Sequence, residues 1–361
     1  MRNEKIEKKN RLAPVFGVSL FLIFHFSFPG FSFLLSANAQ VAGLNTLTGF
    51  DLTSTSRTAG LGMDYLAFYG DDLTVGIDNP SLLRSTMAGT GVLSFVPMFE
   101  GSNMGSLTYA HEFKRIGTVA FGFHFVNYGR FHGYDEEDIY QGDFTAADYA
   151  FVVGWGMWLD SNFSVGANFK PVLSQYEQYT AFAVAFDVAG SYTSDSRAFV
   201  ATLMARNIGA QIATFDQNVE RLPFELSAEV SYKLQNAPFR LFFAATELQR
   251  WNLRYDDPLH PTTTTDPFTG EVTREGWLPG TLDNLMRHTL FGVELSIGKA
   301  LSARMGYSYR QNAEMRGFDA INLSGFSFGV GLHTKKFDIG YSRRDYHMVQ
   351  ALNYFTFSFR F

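Results

Sequence analysis

The stretch Asn353-Tyr354-Phe355-Thr356-Phe357-Ser358-Phe359-Arg360-Phe361 alternates without a fault. Phe355, Phe357, Phe359 and Phe361 share one phase; Thr356, Ser358 and Arg360 share the other. A period of two is the side-chain period of a β-strand. Chain ends of soluble domains are usually polar and frayed, yet this one ends on its most apolar phase. A strand with one aromatic side and one polar side suits a wall between lipid and a polar lumen. The Phe phase is therefore expected to face lipid, and Thr356, Ser358 and Arg360 the lumen.

Working outward, the same period recurs through the chain. Val119, Phe121, Phe123 and Phe125 alternate with Ala120, Gly122, His124 and Val126. Phe224, Leu226, Ala228, Val230 and Tyr232 alternate with Glu225, Ser227, Glu229, Ser231 and Lys233. Ala303, Met305, Tyr307 and Tyr309 alternate with Arg304, Gly306, Ser308 and Arg310. Fourteen such runs are expected as strands: 91–96, 104–111, 116–127, 145–158, 162–172, 181–192, 198–206, 222–233, 237–246, 288–297, 300–310, 322–333, 335–344 and 352–361. Most approach the ~9–11 residues that a tilted strand needs to cross a bilayer. The connections sort by parity. Those at 112–115, 159–161, 193–197, 234–236, 298–299 and 334 are short, and those at 97–103, 128–144, 173–180, 207–221, 247–287, 311–321 and 345–351 are longer. A transmembrane barrel shows this parity, with short periplasmic turns and long external loops; a water-soluble sandwich has no reason to. The expected fold is all-β: an antiparallel transmembrane β-barrel of about 14 strands over 91–361, an even number as in bacterial single-chain barrels.

Composition agrees. Charged residues are 18% of the 361, fewer than is usual in soluble domains. There are 38 Phe and 33 Gly, which favour strands and tight turns. There is no cysteine, which excludes disulfides, thiolate nucleophiles, zinc–cysteine clusters and a lipid-attachment cysteine. The formal net charge of -6 gives no basic footprint for nucleic acid. Residues 1–39 read as a signal peptide: a basic start (Arg2, Lys5, Lys8, Lys9, Arg11), an apolar stretch Leu12–Leu35, and Ala37-x-Ala39 before Gln40. The alternative, a retained transmembrane helix, is disfavoured by His25, Pro29 and Gly30. The expectation is an integral outer-membrane protein that crosses the inner membrane on a cleaved signal peptide.

Residues 40–90 do not alternate. They are expected to be an N-terminal plug or periplasmic segment, with Asn79-Pro80 opening a short helix. Here Arg57-Thr58-Ala59-Gly60-Leu61-Gly62, Asp71-Asp72 and Asn79-Pro80-Ser81-Leu82-Leu83 resemble the N-terminal pattern of FadL-like barrels of Bacteroidetes. Six later stretches narrow the resemblance: Arg206–Gly209, Leu222–Glu225, Glu247–Leu253, Asn284–His288, Gly306–Arg310 and Leu323–Gly329. Together they are similar to the PorQ-like family of the type IX secretion system, which is related to the PorV barrels. Met63 and Asn252 depart from the pattern, where Gly and Asp are usual. The resemblance implies a non-enzymatic barrel of the attachment complex that holds a PorZ-like surface protein. It works beside a PorU sortase and a PorV-like barrel while cargo is exported and attached to the surface. It also implies Arg57, Gly60, Gly62, Asn79 and Pro80 as the plug motif. Phe355, Phe357, Phe359 and Phe361 resemble the C-terminal signal read by the barrel-assembly machinery.

Motifs for catalysis lack their context. Gly325-Phe326-Ser327-Phe328-Gly329 matches G-x-S-x-G but sits inside an alternating strand with no helix after it. Ser296-Ile297-Gly298-Lys299 matches S-x-x-K, without S-D-N or K-T-G elsewhere. The seven histidines after His25 show no H-x-x-x-H, and Asp135-Glu136-Glu137-Asp138 lacks a calcium-loop frame. No catalytic residue, metal site or cofactor is expected. The 247–287 connection holds Trp251, Tyr255, Phe268 and Trp277, residue types that anchor interfaces. It is expected to be an external partner-docking loop, or else a cap on the barrel mouth. A second function from another class is a FadL-like transporter of a small hydrophobic compound. Glu225, Glu229, Lys233, Glu294, Arg304 and Arg310, expected in the lumen, suit a barrel closed by ion pairs better.

Overall fold

Fourteen antiparallel strands close into one barrel. A computed structural model describes residues 47–99, 101–216, 219–254, 263–265, 272–274, 277–315, 323–347 and 350–361. The signal-peptide reading of 1–39 lies outside them. The strands are β1 Thr90–Pro97, β2 Asn103–Phe113, β3 Gly117–Tyr134, β4 Tyr140–Trp158, β5 Phe163–Tyr176, β6 Tyr179–Thr193, β7 Phe199–Ala213, β8 Glu225–Lys233, β9 Phe239–Ala245, β10 Thr289–Ile297, β11 Leu301–Ser308, β12 Phe326–His333, β13 Phe337–His347 and β14 Gln350–Arg360. Each pairs with its neighbours in the chain, and β14 closes on β1 with Leu93 opposite Phe357. Closure removes every sheet edge, which a lipid-embedded sheet requires.

The opening stretch behaves as its alternation requires. Phe355 and Phe357 are 48% and 43% exposed on the outside; Thr356 and Ser358, facing in, are 7% and 6% exposed. The outward phases of other strands add Leu93, Leu107, Phe121, Phe151, Leu203, Val330 and Ile339 to the same apolar band. Both ends of the barrel chain lie with the turns at 114–116, 159–162, 194–198, 234–238, 298–300 and 334–336, which marks that side as periplasmic.

Three expected loops are instead mostly strand. The 128–144 connection is a two-stranded ribbon continuing β3 and β4, with Phe131 stacked on Phe144 and only 135–139 left as a turn. The 173–180 connection shrinks to two residues, because Tyr176 pairs with Tyr179. The 345–351 connection is largely strand too, with Asp345 opposite Ala351. Beyond the bilayer a ribbon has no need for a lipid-facing phase, so its alternation fades while its ladder continues. In the other direction, Tyr309 and Arg310 leave the strand register and begin helix α4, Tyr309–Met315. Arg310 is therefore outside the lumen wall, paired with Glu247.

Inside the barrel run residues 47–89, as a 3-10 turn at Thr48–Asp51 and two short helices, α1 Ser56–Gly60 and α2 Leu73–Asp78, then further 3-10 turns. Helix α1 ends in a Schellman motif: Met63 N–H reaches Thr58 O and Gly62 N–H reaches Ala59 O, with Gly62 at φ +68. Asp72 caps α2 by accepting from Thr74 N–H. Pro80 stands at the start of its own 3-10 turn, where a missing N–H costs nothing. The segment packs Leu61, Leu66, Leu73, Val75 and Leu83 into the barrel's inner core, each at most 1% exposed.

Candidate functional site

Two constructions stand out: the fastening of residues 47–89 inside the barrel, and the external mouth.

The inner fastening begins with glycines. Inward-facing positions on the wall are often Gly, and the segment's backbone lies on them. A methyl group at Gly306 would land on the Leu61 carbonyl, and one at Gly166 or Gly156 on Pro80. One at Gly340 would land on the Ser56 hydroxyl. Such close backbone approach is a use of glycine independent of turns. Gly60 lies against Gly329 in the same way.

Charge completes the fastening. Arg57 donates from Nη1 to Asp72 (2.7 Å) and from Nη2 to both oxygens of Glu294 (2.7 and 2.8 Å). Arg304, the cross-strand partner of Glu294, donates from Nε to Glu294 (2.7 Å). Two cations and two carboxylates thus neutralise each other where water is scarce, the condition under which buried ions persist. A second clasp holds Asp51 by Arg206 Nη2 and Asn207 Nδ2, both 2.7 Å away. Asn207 takes φ 56 at a bulge in β7, and its N–H is accepted by Asp187 (2.9 Å). A third uses Asn79, whose Nδ2 donates to Leu66 O and Thr202 Oγ1 while its Oδ1 accepts from Ser81. Arg57, Gly60, Gly62, Asn79 and Pro80 are all in this fastening. Glu294 and Arg304 were legible as inward residues; their union with Arg57, 237 residues from Glu294, was not.

The external mouth is built from stretches far apart in sequence. Helix α3, Trp277–Arg287, carries Asn284. Asn284 accepts from Leu253 N–H (2.9 Å) and donates to Trp251 O (2.5 Å). The ring nitrogens of His288 lie 2.7 and 3.0 Å from the carbonyls of Thr246 and Trp251. Gln249 accepts from Leu226 N–H and donates to Phe224 O, tying the loop to β8. Asp283 gathers Arg254 (3.0 Å), Arg287 (2.9 Å) and the Tyr309 hydroxyl (2.8 Å). Partial burial raises the Asp283 pKa, but these partners outweigh it and hold the carboxyl below its usual range. The outcome is a fixed surface from which Trp251 projects, 66% exposed and stacked beside His288. Leu282 and Leu285 are exposed on the same helix.

Of the expected loop anchors, only Trp251 is placed in full. Trp277 opens α3, and nothing is described of its side chain; Tyr255 and Phe268 lie outside the described residues. Sequence reasoning missed Asn284, Asp283 and His288 as organisers of the loop. A polar triplet at one helix end carries no periodic signal.

Ser327 is fully buried on the inner face of β12, next to Gly62 and without a histidine partner. Ser296 is the last residue but one of β10, before the 298–300 turn. Among the described residues no group of three His, Asp or Glu could hold a metal.

No family model and no curated protein matches the chain. Solved structures do. The deltaS2 mutant of the TodX monoaromatic hydrocarbon channel is similar at a TM-score of 0.50 and 12% identity, over 86% of this chain and 99% of that one. A FadL homologue of Pseudomonas aeruginosa follows at 0.47 and 9%, over 86% and 99%. The toluene transporter TodX of Pseudomonas putida follows at 0.44 and 10%, over 85% and 95%. At these identities the likeness is one of fold alone.

Proposed function

We propose that this chain is a non-enzymatic outer-membrane anchor, a PorQ-like component of a type IX attachment complex. In this role it holds a PorZ-like surface protein at its external mouth, beside a PorU sortase and a PorV-like barrel. The observation that carries the reading is convergence. Leu222–Glu225, Glu247–Leu253, Asn284–His288 and Gly306–Arg310, quoted above for their resemblance, meet at one mouth through Gln249, Asn284 and the Arg310–Glu247 pair. A loop needing only to cap a pore has no use for so many bonds spent on displaying a tryptophan. A fixed, exposed Trp, with exposed leucines on the helix that holds its backbone, is the kind of surface that anchors a partner.

A second reading, a channel for a small hydrophobic compound, is favoured by the fold shared with the TodX channel mutant. Fold alone does not carry function. The inner wall here meets residues 47–89 with ion pairs, bare glycine backbone and close-packed apolar side chains, a filled interior rather than an open apolar pocket.

One experiment separates the two. The tagged protein is purified from native outer membranes in mild detergent, and its companions are identified by mass spectrometry. A stoichiometric surface protein, lost when 256–280 is deleted from an otherwise folded barrel, is the expected result. A partnerless barrel carrying an extractable hydrophobic compound would establish the channel instead.

A further inference from the structure

The periplasmic end of the lumen holds a cavity of about 600 Å³. It lies at the opposite end from the external mouth, so it serves an anchor or a channel equally. Its four carboxylates are all engaged. Asp71 is paired with Arg84, Asp72 with Arg57, Glu294 with Arg57 and Arg304, and Asp338 with Arg360 and His333. The cations are not balanced in the same way. Arg240 stands directly opposite Glu294 in the β9–β10 ladder, yet both Glu294 oxygens are taken by other arginines. Arg240 is 6% exposed and lines the cavity. Among the described residues its one hydrogen bond is to Ser231 Oγ (3.1 Å), and it shares the Phe68 ring with Arg57. On its other side, across the β8–β9 ladder, its direct partner is Lys233, also on the cavity wall. Like charges placed directly opposite in a ladder repel, and among the described residues no carboxylate forms an ion pair with either. Lys299 and Lys335, from two periplasmic turns, complete the rim.

We propose that this vestibule is an oxyanion-binding site, taking a carboxylate or phosphate group from the periplasmic side. Arg240 is its buried fork, Lys233 the second cation, and Lys299 and Lys335 guide entry. A guanidinium with free N–H donors, desolvated on one side and backed by a second cation, matches the geometry and charge of an oxyanion. The anion relieves the Arg240–Lys233 repulsion that the wall itself leaves standing. Two sources supply this chemistry: a free small oxyanion, or carboxylates on an acidic periplasmic peptide.

The test is isothermal titration of the purified full chain in zwitterionic detergent at fixed ionic strength, with inorganic phosphate and with a capped tri-aspartate peptide. At least one probe should bind saturably at one site. Saturation by phosphate identifies a free oxyanion, and saturation by the peptide alone a chain-borne carboxylate. Arg240→Gln should weaken binding about tenfold or more, the loss of one charge-assisted hydrogen bond. Lys299→Gln, at the rim, should weaken it less. Folding of each variant is checked by its heat-modifiable migration, and Lys233→Gln serves if Arg240→Gln does not fold. Absence of saturable binding by both probes overturns the proposal, as does binding unchanged in a folded Arg240→Gln or Lys233→Gln.

Discussion

The inner fastening and the external mouth use the same materials to opposite ends. Both join distant segments by arginine–carboxylate pairs and by an asparagine that donates and accepts at once: Asn79 inside, Asn284 outside. Inside, the side chains at the centre of the bonds are buried; Arg57, Glu294 and Asn79 are 7%, 3% and 0% exposed. Outside, the bonds hold a backbone whose side chain is left in solvent. The difference separates residues that keep the segment in place from residues that present a surface. Substitutions inside should alter stability and leave the proposed partner capture intact until the barrel fails. Substitutions outside should do the reverse.

The strongest test of that division is Arg57→Ala. It removes the bonds from Arg57 to Asp72 and Glu294, leaving Arg304, with Arg240 opposite Glu294 in the ladder, to compensate the two carboxylates. Breaking a buried pair usually costs 3–5 kcal/mol, and about 3 kcal/mol is expected here because Arg304 still holds Glu294. The urea midpoint of the folded barrel should fall, and protease should reach residues 47–89. An unchanged midpoint would mean that the lock contributes nothing to stability.

Next in size is Trp251→Ala. On the anchor reading proposed above, losing Trp251 should cost about 2 kcal/mol of partner binding, or roughly thirtyfold in affinity. Barrel stability should shift by less than about 0.5 kcal/mol, as for an exposed position. Equal loss of both would erase the contrast between the two regions.

Gly306→Ala probes the inner region without touching charge. The new methyl group meets Leu61 backbone, which cannot rotate away as a side chain would. A cost of about 1–3 kcal/mol is expected, as for overpacking. Gly298→Ala, whose neighbourhood is open but whose φ is +65, is the control for backbone strain alone.

How far these features could be read in advance depends on their range. The fourteen strands were legible because each carries its own period, as Phe355 to Phe361 does without help from the rest. The inward placement of Glu294 and Arg304 followed from the same period. The glycine seats were not legible. Gly166 and Gly306 look like breaks in a strand until the segment lying on them is known. The 128–144 ribbon was misread because a ladder in water tolerates any phase. Arg57 meets Glu294 only when residues 47–89 lodge inside the barrel, and Trp251 meets Asn284 only when the connection between β9 and β10 folds back on itself; neither union is written in the local sequence.

The smallest effect expected is a pH dependence confined to the external mouth. Asp283 has its carboxyl depressed by Arg287, Tyr309 and Arg254 against the opposing effect of burial. A carboxyl lowered on folding stabilises above its unfolded pKa and loses that contribution as pH falls through its folded value. The mouth should therefore loosen only in acid, below the ordinary carboxylate range, and not between neutral and mildly acidic pH. Asp283 is partly open to solvent, which keeps the effect small. Trp251 fluorescence followed from neutral pH into acid should report the change, because its backbone carbonyl is held by the Asn284 next to Asp283. Asp283→Asn should flatten that transition while leaving the urea midpoint of the barrel where it was. A transition that persists unchanged in Asp283→Asn would assign the acid response to another group, and the mouth would then owe its fixed shape to Asn284 and His288 alone.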